Sequence, residues 1–175
     1  MRWLWIDRFE KLVSGVEACA IKNVSLAEEH LHDHFPGYPV MPTSLIIEGM
    51  AQTAGILVGE ARGFREKVIL AKISRATFHA DVLPGDQLRH VAKVVSLDDA
   101  FGRTEGKVYR LTGTDPFGQV VAEIDIIFSH IDQNLSGRKF PEENFVFTDQ
   151  FRQLIRSLDG GAPAAPSAGD SQAAQ

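Results

Sequence analysis

The second half of the chain alternates between apolar and polar positions. In "GQVVAEIDIIFSH", residues 118–130, Val120, Ala122, Ile124, Ile126 and Phe128 share one face, with Glu123, Asp125 and Ser129 on the other. That is the period of a half-buried strand. "QLRHVAKVVSL" (87–97) and "GRTEGKVYRLTG" (102–113) are extended candidates as well. Turn residues separate these runs: "VLPGDQ" at 82–87, "LDDAFG" at 97–102 and "TDPFG" at 114–118. A series of antiparallel hairpins is therefore predicted. Earlier in the chain, "VEACAIKNVS" and "KVILAKISRATFHADV" also read as strands.

One segment breaks this period. "PTSLIIEGMAQTAGILVG", from Pro42 to Gly59, is apolar nearly all round and about five turns long at ~3.6 residues per turn. Pro42 suits a first helical position, and Gly59 or Gly63 a stop. A helix of this kind is normally buried on all sides. One buried helix with a run of antiparallel strands predicts an α+β fold, the sheet curled around the helix. Further on, "TDQFRQLIRSL" spaces Phe151, Leu154, Ile155 and Leu158 helically behind a candidate Thr148 N-cap. From Gly160 the composition turns to Ala, Pro, Gly and Ser with little to bury. The expected organisation is a main domain over residues 1–145, an amphipathic helix over 146–159 and a disordered tail over 160–175.

Composition narrows the function classes. At 175 residues, 44% hydrophobic and 23% charged, the chain fits one globular core. A net charge of −5 without a long basic block argues against nucleic acid as a partner. Cys19 is the single cysteine, which excludes an intrachain disulfide. The apolar run near the N-terminus is too short for a signal segment or a membrane span. The expectation is a soluble cytoplasmic protein with no membrane partner.

The candidate chemistry lies between residues 28 and 52. His30, His32 and His34 fall within five residues, and on an extended backbone they would share one face. Three imidazoles are a possible zinc set. Alternate residues of one strand converge poorly on an ion, however, and no second cluster offers a fourth ligand. The expectation is a surface strand without a metal. On the helix, Ser44, Glu48 and Gln52 lie four apart and form one polar stripe. A carboxylate is costly to bury unless it is partnered. Glu48 is thus either a structural group bonded to Gln52 or a turn amide, or a general acid of the kind enzymes build by burial. The residues alone leave both readings open. The proline-rich "FPGYPVMP" is a rigid connector from His34 to the helix.

"HFPGYPVMPTSLIIEGMAQTAGIL" resembles the signature of the 3-hydroxyacyl-[acyl carrier protein] dehydratases, the FabZ/FabA group of the hot-dog fold. His34 and Glu48 are fourteen apart, as are the catalytic pair of that family. "WIDRF", "AIKNVS" and "ATFHADVLPGDQL" extend the likeness over about residues 3–130. The resemblance implies a hot dog, a long helix wrapped by an antiparallel sheet. It also implies a homodimer, or three such dimers together, acting without a cofactor. By the same resemblance His34 is the base that removes the α-proton of a 3-hydroxyacyl thioester, and Glu48 the acid that helps the 3-hydroxyl leave. The implied carbonyl donors are the amides of Thr43 and Gly37, and Gln52 is an implied substrate-binding residue. The two catalytic side chains are expected to come from opposite subunits. The implied substrate is carried on acyl carrier protein or coenzyme A. The chain departs from the family at Pro42-Thr43-Ser44, where Pro-Gly-Val is usual, and at His79-Ala80, where a basic pair is usual. The alternatives are a hot-dog acyl thioesterase and a non-catalytic acyl-binding hot-dog protein.

Overall fold

The computed structural model of the chain describes residues 3–112, 115–131, 144, 146–148, 151–153 and 155. In chain order the elements are β1 (Arg8–Val13), β2 (Glu17–Asn23), α1 (His30–Asp33), α2 (Thr43–Glu60), β3 (Val68–Phe78), β4 (Gln87–Leu97), β5 (Phe101–Thr112) and β6 (Asp115–His130). The strands form a six-stranded sheet in the order β1-β2-β4-β5-β6-β3. Every neighbouring pair is antiparallel. Register shifts in β1, β3, β4 and β6 add twist and curl the sheet.

Helix α2 is the filling of that curl. Its residues Ile46, Met50, Ala54 and Leu57 are buried and share one core with Leu88, Ala92, Val108, Ile124 and Ile126 of β4–β6. Burying each large aliphatic side chain contributes about 1.5–3 kcal/mol. The alternation read along β6 places Ala122, Ile124, Ile126 and Phe128 in the core as expected. The turn at 82–87 forms with Gly85 at φ +96°. Leu83 N–H there donates to Asp86 Oδ2 at 2.9 Å.

Four features differ from the sequence reading. First, His30 to Asp33 is a single helical turn, not a strand. Successive helical residues rotate by ~100°, so His30 and His32 point in different directions. Leu31 is the apolar residue that anchors the turn, 1% exposed. Second, β6 begins at Asp115, so most of "TDPFG" is strand. Gly118 has φ +74° and lies where the β5–β6 register shifts between Arg110 and Thr112. The glycine serves a bulge there and does not close a turn. Third, Arg8–Val13 is a strand that the sequence reading does not include, because a register shift between Phe9 and Lys11 interrupts its alternation. Fourth, α2 is not covered on every side. Thr43 and Ser44 are exposed, and Ile47, Glu48, Ala51 and Gly55 form a half-buried line along it.

Strand β3 is one edge of the sheet and is exposed along almost its whole length. Ile69, Leu70 and Ile73 are each about 40% exposed there. Past β6, residues 151–153 and 155 are helical. Thr148 caps them, its Oγ1 accepting from Phe151 N–H at 3.3 Å and its carbonyl from Arg152 N–H at 2.9 Å. Leu154, Leu158 and the expected tail at 160–175 lie outside the described residues. Among the described residues no helix is long and apolar enough to cross a membrane.

Candidate active site

His34 closes α1 and opens the connector to α2. Pro36 and Gly37 form the corner of a tight turn in which Tyr38 N–H donates to the Phe35 carbonyl at 2.9 Å. Gly37 has φ +79°, the conformation that the third position of a type II turn requires. The chain thereby doubles back. Val40 N–H donates to the His34 carbonyl at 2.8 Å, and His34 Nδ1 lies 2.8 Å from the Val40 carbonyl. A carbonyl can only accept, so Nδ1 carries a proton, and Nε2 is the nitrogen that a neutral ring leaves unprotonated. The ring also stacks on Phe35 with centroids 4.3 Å apart.

The other two histidines are engaged elsewhere. His32 Nε2 lies 2.9 Å from the Leu26 carbonyl. His30 packs 5.4 Å from the Trp5 ring and lies 3.6 Å from Glu28. Among the described residues no three His, Cys, Asp or Glu side chains gather as a metal site. Beneath this turn, buried Lys22 pairs with Glu28 at 2.6 Å and sits 4.4 Å over the Trp5 ring.

Glu48 sits on the half-buried line of α2, one turn before Gln52. The Gln52 amide donates to Glu48 Oε1 at 2.7 Å. Gln52 is itself 3% exposed and held from both ends. Its Oε1 accepts from Trp5 N–H at 2.7 Å, and its Nε2 also donates to the Trp3 carbonyl at 3.1 Å. The bond between Glu48 and Gln52 anticipated for a structural carboxylate is therefore present. It does not exclude catalysis, because the second oxygen of Glu48 remains available.

At the start of α2, Thr43 has no positive φ. The connector accommodates a β-branched residue because Thr43 is the first helical residue. Leu45 and Ile46 donate to the Pro42 carbonyl at 2.9 and 3.4 Å. The N–H groups of Thr43 and Ser44 make no such bond and form part of the positive end of the helix dipole. No acidic side chain occupies the first turn.

The single chain does not assemble these groups into one cavity. Glu48 lines a cavity of about 190 Å³ with Ala51, Gly55, Leu70 and Phe128. Thr43 lines a different one of about 340 Å³, between the start of α2 and residues 78–82. His34 lines neither. Three supports of the site left no mark in the sequence: the Val40 carbonyl, and the Trp3 and Trp5 backbone groups. All three are main-chain groups, which any residue type would supply.

A helix held inside a curled antiparallel sheet defines the hot-dog architecture, and here the helix carries the Glu48 carboxylate while the connector before it holds the His34 ring by its Nδ1. Residues 2–110 match the FabA-like domain, and the chain belongs to that family. Relatives include the 3-hydroxyacyl-[acyl-carrier-protein] dehydratase FabZ of Pelotomaculum thermopropionicum, 39% identical over 73% of this chain and 87% of that protein. The FabZ of Rhodospirillum rubrum is 41% identical over 68% of this chain and 72% of that protein. The FabZ of Acidiphilium cryptum is 50% identical, but over 52% of this chain and 58% of that protein. Among solved structures, smu.793 from Streptococcus mutans bound to acetyl CoA aligns with TM-score 0.58 and 13% identity, over 74% of this chain and 91% of that one. S. sahachiroi AziG aligns with TM-score 0.57 and 16% identity, over 70% and 89%. At such identities the structural likeness shows the shared fold alone.

Proposed function

We infer that this chain is a hydro-lyase of fatty-acid-type biosynthesis, dehydrating a 3-hydroxyacyl thioester to the trans-2-enoyl thioester. The observation that carries the reading is the bond from His34 Nδ1 to the Val40 carbonyl at 2.8 Å, which leaves Nε2 as a base. In the proposed step Nε2 removes the α-proton. The enolate oxygen meets the free N–H of Thr43, with Gly37 N–H as a second donor. Glu48 gives a proton to the departing 3-hydroxyl, which leaves as water. The α-proton on His34 and the vacancy on Glu48 re-equilibrate with solvent, so no cofactor or metal enters.

The carrier is read as acyl carrier protein, following the names of the relatives, and the setting as cytoplasmic. The working unit is read as a homodimer. Its support is the exposed edge strand β3 with Ile69, Leu70 and Ile73, since an unprotected apolar edge invites a second copy. No hydrogen bond joins His34 to Glu48 in the single chain, which agrees with a site shared between protomers. The reading is tested with a series of 3-hydroxyacyl thioesters on acyl carrier protein and on coenzyme A, following enoyl absorbance. Absence of enoyl product with every carrier, while free thiol accumulates, would replace dehydration by thioester hydrolysis.

A further inference from the structure

The cavity at Glu48 has a charged end and an apolar end. Glu48 is the sole charged residue on its described lining. From there it follows α2 past Ala51 to Gly55, a run of ~10 Å at 1.5 Å per residue. At its other end stand Val146 and Phe147, contributed by the segment after β6. This segment lies beyond the residues that match the family, 2–110.

Phe147 is a built feature of the fold. It is 2% exposed, and its ring fills the space above Gly59, one turn past Gly55. A Cβ at Gly59 would lie 2.5 Å from that ring. Phe64 meets it edge-on at 5.0 Å and Phe151 packs at 5.7 Å. Asn144 ties the segment down. Its Nδ2 donates to the Phe64 and Glu66 carbonyls at 3.0 and 3.1 Å. Its Oδ1 accepts from Val146 and Phe147 N–H at 3.0 and 2.9 Å.

We propose that Val146 and Phe147 form the floor of the acyl pocket and set the longest chain this enzyme accepts. The inference rests on the dehydratase reading of Glu48. An apolar cavity of ~150 Å³ holds a six-carbon ring, so a cavity of about 190 Å³ takes an acyl segment of roughly six carbons. The substrates are then short- to medium-chain 3-hydroxyacyl thioesters, and long chains meet the Phe147 ring.

The test compares wild type, Phe147→Ala and Val146→Trp on 3-hydroxyacyl thioesters from butyryl to palmitoyl length. Thermal shifts with unreactive alkyl-coenzyme A thioethers of the same lengths are read in parallel. Wild-type kcat/KM should fall beyond medium length. Phe147→Ala should raise the long-to-short ratio by about tenfold or more, the scale for methylenes in an apolar pocket. Val146→Trp should move the optimum to shorter chains, and it decides the matter if Phe147→Ala does not fold. Turnover with an unchanged length profile in the folded variants overturns the proposal and leaves the dehydratase reading intact. If wild type makes no enoyl product at any length, the dehydratase reading fails. The thioether series then decides the floor: a length cut-off that moves with Phe147 supports it, and an unmoved one rejects it.

Discussion

The Gln52 amide donates to Glu48 Oε1 at 2.7 Å, while the same side chain is clamped by Trp5 N–H and the Trp3 carbonyl. The bond fixes which oxygen of Glu48 is engaged and where the free one stands. A buried amide with both N–H groups and its oxygen engaged is a rigid support, and removing it strands its partners.

Gln52→Ala should therefore lower kcat by about tenfold or more with little change in KM, because it releases the acid and not the substrate. It should also destabilise the fold by about 1–3 kcal/mol, as Trp5 N–H loses its acceptor. A destabilised variant with wild-type kcat would make Gln52 an anchor for the N-terminal segment alone.

If the site is shared, mixing two dead proteins restores it. His34→Ala and Glu48→Gln should each lower turnover by about 10²–10⁴-fold, the range for a lost proton-transfer group. After subunit exchange, heterodimers carry one intact pair. Random pairing in a two-fold dimer then returns roughly a quarter of wild-type activity. Confirmed exchange without recovery would place both groups of each site in one protomer.

Thr43→Pro isolates the backbone donor. Proline is well tolerated at the first helical position, and Pro42 before it already has φ −53° and ψ 132°, which a following proline prefers. The helix should survive while the N–H is deleted. Loss of one oxyanion donor should cost about 10²–10³-fold in kcat. Thr43→Gly keeps the N–H and should stay active. A folded Thr43→Pro enzyme at full rate removes this amide from the mechanism.

His90 makes a separate prediction about pH. It is fully buried under α2, where a Cβ on Gly49 would strike its ring. Burial foremost, and then the charge of Lys22, lowers its pKa to about 4. The folded ring therefore stays neutral where the unfolded one begins to protonate, near pH 6.5. Between these values the unfolded chain binds more protons, so stability falls as pH drops from about 6.5 towards 4. The contribution reaches about 3 kcal/mol. Denaturant unfolding at graded pH should show this slope in wild type and a flatter one in His90→Gln. Equal slopes would move the acid sensitivity to other groups.

Much of the fold was legible because its signals are local. Clean alternation marked β6, and the apolar run after Pro42 marked α2, since each period reflects burial of one face or of a whole helix. The spacing of His34 and Glu48, with the proline-rich connector between them, was enough to suggest the acid–base pair and its family. The register shift in β1 hid that strand, and the three histidines imitated a strand because alternation over five residues fits either period. Tertiary structure alone decided the rest. It chose the His34 tautomer through a main-chain carbonyl, it braced the Glu48–Gln52 pair on the backbone of Trp3 and Trp5, and it brought Phe147 over Gly59 from far along the chain. The Gln52 contacts with Trp3 and Trp5 and the Phe147 contact with Gly59 join positions remote in sequence, and the His34 bond is made to a main-chain atom common to all residues, so no local pattern of side chains could encode them visibly.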